Sequence, residues 1–542
     1  MLFDAGGLGN VGGSLAGQLR GVGFGESFLG VHQTNLPATA RATPRDGRPQ
    51  NSPPRRTWCL CPNRRECSIV TSDQDVNQPF AVPSLAILGG GPGGYEAAMV
   101  AASMGAKVTI VERAGLGGSA VLTDVVPSKT LIATAESMNR SIDSAELGVS
   151  FNADDVKDAL RADLQQVNQR VMKLAKEQST DIRGGLEALG VTIIIGTGRM
   201  LDPHTIEVDR GETKEILKAD AVLVSVGAHP RELPSARPDG KRILNWTQIY
   251  DLDELPEELI VVGSGVTGAE FASAFNGLGS KVTLISSRDQ VLPGEDSDAA
   301  AVLEQVFERR GLRVLSRSRA QSVERTDDGV TVTLGDGSQV TGTHCLVCVG
   351  SIPNTSGMGL EAAGVELTPS GHIKVDGVSR TSAPNVYAAG DCTGVLALAS
   401  VAAMQGRIAV AHLLGDGVSP LKLTQVSSNI FTSPEIASVG VSEADLESGR
   451  YQGDVVKLPL QTNARAKMRN VNDGFVKIIA RKGSGTVIGG VVVGAGACEL
   501  IFPISLAVAQ KLHVDDVANT FTVYPSLSGS IAEAARRLHV HM

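Results

Sequence analysis

The feature that most constrains the fold of this chain is a strand–turn–helix–strand pattern that occurs twice. In each copy an apolar strand leads into Gly-x-Gly-x-x-Gly, and an alanine-containing helix and a further apolar strand follow. The first glycine of such a turn allows the tight bend, the second lets the backbone approach a pyrophosphate, and the third lets helix and strand pack closely. We therefore predict two dinucleotide-binding units, with their glycines at Gly89, Gly91 and Gly94 and at Gly263, Gly265 and Gly268.

The residue that ends the strand after each glycine turn differs between the two copies. Glu112 ends this strand in the first copy, where a carboxylate would accept hydrogen bonds from ribose hydroxyls. In the second copy the same position is Ser286, and Arg288 follows it closely. A neutral-to-basic pocket suits the extra phosphate of NADP better than it suits NAD. Because a solvated loop arginine would look the same in sequence, NADPH is favoured and NADH stays open.

The length and composition of the chain favour several folded units and exclude some functions. At 542 residues it is too long for a single hydrophobic core, and 62 glycines with only 4% aromatic residues suit α/β folds with tight turns. A net charge of −9 provides no basic surface for nucleic acid. No cysteine pattern requires an oxidising compartment, so we predict a cytoplasmic protein. The sequence shows no metal-ligand cluster.

The chain becomes regular only after a long N-terminal stretch. Residues 1–80 combine a glycine and arginine–proline bias with no apolar period, which predicts disorder, a transit peptide or a gene start placed too far upstream. The predicted fold class is α/β, with two Rossmann-type nucleotide-binding domains and a C-terminal α+β domain. The predicted bounds are 83–230 with 346–424 for the first domain, 231–345 for the second and 425–542 for the third.

Two local segments carry structural predictions of their own. Apolar residues at steps of three and four predict an amphipathic helix over 154–190. Cys345 and Cys348 imitate a redox Cys-x-x-C pair, but residues 343–349 are predicted to form a strand. Residues three apart on a strand point to opposite faces, so these two thiols should not meet.

Residues 487–509 could be mistaken for a membrane span because they carry a single charge, Glu499. Four glycines, Pro503 and a glutamate that would have to be buried argue against a spanning helix. A buried strand followed by an apolar helix accounts for the run better. We therefore predict no membrane span.

Several further segments make the chain resemble the flavoprotein disulfide reductases, especially dihydrolipoamide dehydrogenase. Residues 117–129, with the sequence GGSAVLTDVVPSK, resemble the family's active-site segment, and NVYAAGDCTG resembles its second FAD motif. SVGAHP and CVGSIPN resemble the family's domain-linking turns, and TNARAK resembles its interface segment. The resemblance covers about 83–540 and implies FAD, a nicotinamide dinucleotide and a homodimer formed through 425–542.

The same resemblance assigns individual residues to the cofactors. Lys129 and Glu270 match residues that pair beside the flavin N5, where a cation stabilises reduced flavin and the carboxylate holds the ammonium in place. Asp391 matches the aspartate that hydrogen-bonds the ribityl or pyrophosphate region of FAD. Gly227 and Gly350, in the two linking turns, are assigned to the FAD and NAD(P) sites respectively.

The departures from the family pattern concern the dithiol and its base. The family places two cysteines between Gly-Gly and Pro-Ser-Lys, where this chain has Ala120 and Val125. Neither side chain forms a thiolate or a disulfide, so electrons cannot leave by thiol exchange. Near the C-terminus the family's His-Pro pair is replaced by Tyr524-Pro525, and Gly529 stands where the family has a glutamate. The acid–base partner of the dithiol is therefore missing as well.

This combination leads to a functional hypothesis. Without a dithiol, reduced flavin has to deliver electrons directly to an acceptor that reaches its exposed face, and a flat quinone needs no protein nucleophile. The chain is thus similar to the actinobacterial NAD(P)H quinone reductases that lack the redox cysteines, with Lys129, Glu270 and Tyr524 as candidate catalytic residues. Two alternatives stay open: a true dihydrolipoamide dehydrogenase, disfavoured by Ala120 and Val125, and a non-catalytic flavin-binding sensor or complex subunit.

Overall fold

The structure is a computed structural model that describes residues 83–150 and 160–539 of the chain. The predictions for residues 1–80, and the part of the predicted helix that falls on 154–159, lie outside the described residues. Within the described ranges the chain forms two parallel five-stranded sheets, one antiparallel five-stranded sheet and three smaller antiparallel sheets. The predicted fold class, with two parallel-sheet units followed by a C-terminal α+β unit, is confirmed.

The first parallel sheet contains the strand that leads into the first glycine turn. Its three central strands are almost entirely buried, as expected for a parallel sheet covered on both faces. Helix Pro92–Ser103, which follows the turn, packs against helix Ala399–Leu413. In spatial order the strands are Val386–Ala388, Ala221–Val224, Ser84–Leu88, Lys107–Glu112 and Thr192–Ile195.

The second parallel sheet repeats this arrangement around the second glycine turn. Ser84 lies opposite Lys107 in the first sheet, and Glu258 lies opposite Lys281 in the second, so the two strand pairs share one register. Strand His344–Val347 pairs within this sheet, and the domain boundary predicted between 345 and 346 falls inside it. In spatial order the strands are Arg313–Leu315, Lys281–Ile285, Glu258–Val262, His344–Val347 and Ile243–Leu244.

The remaining elements of residues 83–413 are small antiparallel sheets and helices. The two three-stranded sheets consist of Thr197–Asp202, Thr205–Asp209 and Lys214–Lys218, and of Ala320–Arg325, Val330–Leu334 and Gln339–Gly342. The two-stranded sheet pairs Ala228–Pro230 with Ser351–Pro353. The other α-helices are Gly118–Leu122, Val125–Asp143, Leu164–Ala188, Val266–Leu278 and Ser297–Arg309.

The C-terminal unit is an antiparallel sheet with helices packed on it. Helices Ala497–Gln510 and Gly529–Arg537 contribute to one apolar cluster with the sheet. In spatial order the strands are Ser427–Ile430, Glu435–Gly440, Val487–Gly494, Phe475–Arg481 and Gly453–Pro459. The shorter helices are Glu443–Glu447, Ala464–Met468 and Val514–Ala518.

The helix predicted over 154–190 is shorter at its start than the apolar pattern indicates. It spans Leu164–Ala188, so the prediction is wrong over 160–163 and over 189–190. The Asp163 carboxylate accepts a hydrogen bond of 3.0 Å from the amide of Gln166 and caps the first turn. Because this cap fixes the helix start, apolar periodicity upstream of it does not extend the helix.

Cys345 and Cys348 are separated by the sheet, as the strand prediction requires. Cys345 belongs to the apolar cluster that contains Ile260 and Val262 of the neighbouring strand. Cys348 belongs to a different cluster, which contains Val261 of the same strand. Alternate residues of a strand face opposite sides, so the two buried thiols lie on opposite faces of the sheet and are both free.

The apolar run over 487–509 divides into a strand and a helix, as predicted. The strand is Val487–Gly494 and the helix begins at Ala497. None of the helices in the described ranges is both long and apolar enough to cross a membrane. The expected burial of Glu499 was wrong, because this residue is exposed in the first turn of the helix, where a carboxylate is favoured by the helix dipole.

A buried lysine connects the C-terminal sheet to the start of helix Ser297–Arg309. The Lys477 side chain is 0% exposed, and its Nζ lies 2.7 Å from Asp296 and 2.8 Å from Asp298. It also hydrogen-bonds Glu443. These three carboxylates lie close enough together to hold a metal ion, an arrangement that no sequence pattern predicted. The ammonium of Lys477 already lies among them and contacts all three.

We predict that Lys477→Met destabilises the protein by about 3–5 kcal/mol, since it leaves the Asp296 side chain, which is 5% exposed, without its cation. The measurement is the free energy of unfolding in urea. Lys457→Met is the matched control, because Lys457 also contacts Asp298 at 2.7 Å but has a side chain 44% exposed. An exposed pair contributes about 0–1 kcal/mol. Equal losses in the two variants would contradict the importance of burial at this site.

Candidate active site and cofactor sites

The first glycine turn leaves an open space in front of helix Pro92–Ser103. Gly89 has a φ of +98°, and a Cβ on it would lie 2.3 Å from the carbonyl oxygen of Ser225. A Cβ on Gly94 would lie 2.0 Å from the carbonyl oxygen of Gly89, whereas one on Gly91 would meet nothing within 4 Å. Packing within the protein therefore requires glycine at positions 89 and 94. At position 91 a side chain would meet no protein atom, so only a ligand in the open space would require glycine there.

The second glycine turn has the same geometry. Gly263 has a φ of +111°, and a Cβ on it would lie 2.1 Å from the carbonyl oxygen of Cys348. A Cβ on Gly268 would lie 1.8 Å from the Gly263 carbonyl oxygen, and one on Gly265 would meet nothing within 4 Å. Each turn therefore presents an unobstructed glycine at a helix N-terminus, which is an arrangement suited to a phosphate.

The side chains at the ends of the following strands hold the two glycine turns in place. Glu112 is buried, and its carboxylate accepts hydrogen bonds from the amides of Gly90 at 2.6 Å and Ala114 at 2.7 Å. Ser286 is also buried, and its hydroxyl contacts the Ser264 hydroxyl at 2.7 Å. Both residues thus connect a glycine turn to the next strand. The ribose contact of Glu112 stays a prediction.

Arg288 has an exposed side chain beside the second turn. Its amide donates a hydrogen bond of 3.1 Å to the hydroxyl of Ser286. No described carboxylate pairs with its guanidinium, whereas the neighbouring Asp289 pairs with Arg317 at 2.7 Å. The arrangement leaves the Arg288 charge available to an anionic ligand.

Lys129 and Glu270 come together although they are far apart in the sequence. The Lys129 Nζ lies 2.7 Å from the Glu270 Oε2, and Glu270 is only 4% exposed. The other Glu270 oxygen accepts a hydrogen bond of 2.9 Å from the amide of Phe431. The Phe431 ring lies beside the ammonium, with its centroid 5.0 Å from Nζ. Glu270 therefore fixes both the lysine and the phenylalanine.

Asp391 begins a short 3₁₀ turn after the strand Val386–Ala388. The amide of the preceding Gly390 donates a hydrogen bond of 2.9 Å to Gln405, which is 1% exposed. No described residue donates a hydrogen bond to the Asp391 carboxylate. Burial raises the pKa of this carboxyl, and His372 opposes the effect. The turn thus presents a partly buried carboxylate that is free to accept a hydrogen bond.

Gly227 and Gly350 lie in the two turns joined by the two-stranded sheet. Both have positive φ values, of +64° and +93°, and a Cβ on either would meet nothing within 4 Å. The Gly227 carbonyl accepts from the Asn354 amide at 3.0 Å, and the Gly350 carbonyl accepts from the Arg231 amide at 2.9 Å. Their contacts with cofactors stay predictions.

Tyr524 lies apart from these groups within the single chain. Its side chain is 85% exposed, and the neighbouring Phe521 and Val523 are exposed as well. The chain just after Tyr524 is anchored by Asn463, whose side-chain amide donates to the carbonyl of Ser526 at 2.9 Å. Tyr524 therefore does not join Lys129 and Glu270 within one chain, and its predicted role depends on a second copy.

Three residues of the site were not singled out from the sequence. Phe431 follows a strand of the C-terminal sheet, and no local pattern connects it to Glu270. Tyr250 is 5% exposed, in a 3₁₀ turn. Asp124 precedes helix Val125–Asp143, and its position inside the active-site segment was the one signal that could have identified it.

The comparisons with known proteins agree with this architecture. Residues 83–406 match the family model described as pyridine nucleotide-disulphide oxidoreductase, and residues 426–535 match the dimerisation domain of the same family. The chain belongs to this family. The resemblance predicted from the sequence is thereby confirmed, and membership makes the chain an oxidoreductase that uses FAD and NAD(P)H.

Two relatives and one solved structure illustrate the similarity. A protein of Mycobacterium tuberculosis named NAD(P)H dehydrogenase (quinone) is 52% identical over 471 residues, which are 85% of this chain and 94% of the relative. A dihydrolipoyl dehydrogenase of Geobacillus stearothermophilus is 33% identical over 83% of this chain and 94% of the relative. The crystal structure of LpdA from Mycobacterium tuberculosis has a TM-score of 0.81 at 51% identity, covering 85% of this chain and all of LpdA.

The residues present fit the two dinucleotides of the family. Each glycine turn leaves space in front of a helix N-terminus, at Gly91 and at Gly265, which fits a pyrophosphate. The Asp391 carboxylate has acceptor capacity to spare, which fits a hydroxylated chain such as ribityl. Lys129 would place a positive charge near FAD, and Arg288 would place a positive charge near the nicotinamide dinucleotide.

We predict that Gly91→Val folds normally but purifies without FAD, because the new side chain fills the space in front of the helix. Gly94→Val should instead lower the melting temperature or prevent folding, because its Cβ would collide with backbone. Gly265→Val is the matched control in the second turn and should keep FAD while losing affinity for NAD(P)H. Flavin absorbance per subunit, thermal unfolding and nucleotide titration measure these effects. Full flavin content in Gly91→Val would show that the site is misplaced.

Proposed function

We propose that this chain is an NAD(P)H:quinone oxidoreductase that uses FAD and no redox disulfide. The proposal is carried by one observation: the Lys129–Glu270 pair is intact at 2.7 Å, while Ala120 and Val125 stand where the family resemblance expects cysteines. FAD, when bound, accepts two electrons from NAD(P)H and releases them to an acceptor. The printed name of the relative at 52% identity, NAD(P)H dehydrogenase (quinone), supports the same class of acceptor.

The cysteines of the described residues do not replace the missing dithiol. Cys392, the residue next to Asp391, is 0% exposed, and its Sγ donates to the carbonyl of Ala389 at 3.3 Å. Burial raises its pKa to about 12, so it is not a thiolate at neutral pH. The other cysteines of the part of the chain that the structure describes are Cys345, Cys348 and Cys498, and burial raises the pKa of each.

The polar groups of the site support electron transfer more than simple binding. Glu270 is buried with both oxygens engaged, so it holds the Lys129 ammonium at a fixed position. A fixed cation stabilises negative charge that develops next to it. A protein that only bound FAD would not need this charge, which disfavours a non-catalytic sensor or complex subunit.

We further propose a homodimer formed through residues 425–542. The dimerisation domain of the family matches 426–535, and Phe502, Phe521 and Val523 are exposed apolar side chains within this region. Exposed apolar groups of this size indicate a surface that is covered in the assembled protein. In such a dimer Tyr524 would face the flavin pocket of the other subunit. Its exposure of 85% in the single chain leaves it available for this contact.

We predict that the FAD-loaded protein oxidises NADPH rapidly with menadione and not with lipoamide. Menadione needs no thiol, whereas lipoamide exchanges only with a dithiol. Steady-state oxidation of NADPH measures both rates. Activity with lipoamide would favour dihydrolipoamide dehydrogenase, and the absence of any NADPH oxidation would favour the sensor. The double variant Ala120→Cys, Val125→Cys serves as a control and should still lack lipoamide activity, because Tyr524 and Gly529 do not supply the base.

We predict that Arg288→Ala raises the KM for NADPH more than the KM for NADH. A bidentate contact between arginine and phosphate contributes about 1.5–3 kcal/mol, so the KM for NADPH should rise roughly tenfold or more. Arg317→Ala is the control, because it removes a nearby positive charge that is already paired with Asp289. If Arg288→Ala changes the KM for NADPH and for NADH equally, or if Arg317→Ala has the same effect as Arg288→Ala, Arg288 has no specific role in NADPH binding.

A further inference from the structure

Asp124 occupies a helix N-terminus without performing the usual role of an aspartate there. It directly precedes helix Val125–Asp143, but its side chain accepts no hydrogen bond from the first turn. Asp163 and Asp296, at the starts of two other helices, do accept such bonds. Helix capping therefore does not account for Asp124.

The charges that act on Asp124 come from several different segments. Its carboxyl is partly buried, Lys129 favours its ionised form, and Glu270 and Asp391 oppose it. Lys129 is already paired with Glu270 at 2.7 Å, so Asp124 has no counter-ion of its own. Burial is the largest effect and raises the pKa of Asp124 to about 6. The carboxyl can thus be protonated or ionised close to neutral pH.

A second polar group beside Asp124 lacks a partner. The Tyr250 hydroxyl is buried and forms no hydrogen bond of good geometry with a described residue, although Ser128 is close enough to lower its pKa in part. The nearby Ser128 hydroxyl donates instead to the Val125 carbonyl at 3.3 Å. Burial, followed by the charges of Asp124 and Glu270, raises the pKa of Tyr250 well above its ordinary value, so it stays neutral. An unpaired buried hydroxyl is costly, and it indicates a polar ligand at this place.

We propose that Asp124 donates a proton to the quinone, an inference that rests on the proposed function. In the overall reaction NAD(P)H, quinone and one proton give NAD(P)⁺ and hydroquinone. NAD(P)H supplies both electrons and one hydrogen, so one further proton is required. The O–H bond of the Asp124 carboxyl breaks as an O–H bond forms on a quinone oxygen. Because Asp124 is partly exposed, its carboxylate then regains a proton from solvent.

Two other carboxylates act on Asp124: Asp391, which is assigned to FAD, and Glu270, whose contacts make it unsuitable as the donor. One oxygen contacts the Lys129 ammonium at 2.7 Å, and the other accepts from the Phe431 amide at 2.9 Å. Both contacts favour the ionised form and hold it in one orientation. Asp124 has neither constraint, and it lies in the segment from which the family's dithiol is missing.

The experiment compares the FAD-loaded wild type with Asp124→Asn, using menadione and ferricyanide as acceptors. Menadione needs a proton when it is reduced to the hydroquinone, whereas ferricyanide accepts electrons without one. We expect kcat/KM for menadione to fall roughly 10²-fold in the variant, as for loss of a general acid, with ferricyanide reduction nearly unchanged. In the wild type the menadione rate should decline above about pH 6, and Asp124→Asn should lose this dependence. Asp163→Asn is the control and should behave as the wild type.

Thermal unfolding provides a readout that does not depend on turnover. The pKa of Asp124 is about 6 in the folded chain and 3.8 as its ordinary value, so folding binds a proton between these pH values. The stability of the wild type therefore falls across this window as the pH rises. Asp124→Asn lacks this contribution, so its melting temperature relative to the wild type should increase from about pH 4 to 6. Asp163→Asn should show no such trend.

The outcomes separate the two proposals. If the wild type reduces ferricyanide but no quinone, the proposed function fails. If the wild type reduces menadione and Asp124→Asn does so at the same rate and with the same pH dependence, the function stands and the assignment of Asp124 is wrong. If Asp124→Asn loses the same share of its rate with menadione and with ferricyanide, Asp124 is needed for electron transfer from NADPH to FAD. That result would also overturn the inference. If the difference in melting temperature between Asp124→Asn and the wild type stays the same across the pH window, Asp124 does not titrate there, and the inference is wrong.

Discussion

The geometry of the candidate active site depends on one buried carboxylate. Glu270 is 4% exposed, and a carboxylate at that depth is stable only when it is paired and hydrogen-bonded. Its two partners, the Lys129 ammonium and the Phe431 amide, come from segments far away in the sequence. Helix Val125–Asp143, helix Val266–Leu278 and the start of the C-terminal unit are therefore brought together at a single charge. Displacement of either partner segment would leave one oxygen of that buried carboxylate without its contact.

The glycine turns of the two parallel sheets have the same steric constraints. In both, the first and third glycines are required because backbone carbonyls lie where side chains would begin, and the second faces open space. The following strand secures each turn through a buried side chain, Glu112 in the first and Ser286 in the second. Replacing an acid by a hydroxyl keeps this connection and removes a negative charge. The same scaffold can thus be adapted to a more anionic ligand.

In the proposed mechanism, the site separates electron transfer from proton transfer, unlike a mechanism that passes electrons through a dithiol. With Ala120 and Val125 where the family resemblance expects cysteines, residues 117–129 supply no dithiol that could store electrons. The fixed cation at Lys129 is retained, and the nearby carboxyl of Asp124 has neither a capping role nor a dedicated counter-ion. A quinone requires both electrons and a proton, which these two groups are suited to support. Tyr524, exposed in the single chain, is free to shape the acceptor pocket from the neighbouring subunit.

The sequence by itself determined the strands, the glycine turns and the family, because these depend on local spacing and on residues such as Gly89 that the backbone geometry requires. Local spacing did not predict where one helix starts, since the cap formed by Asp163 overrides the apolar period. It also did not predict the exposure of Glu499, the three carboxylates around Lys477 or the contact of Phe431 with the active site. Burial and pairing of charges depend on which distant segments pack together, and only the tertiary structure decides that.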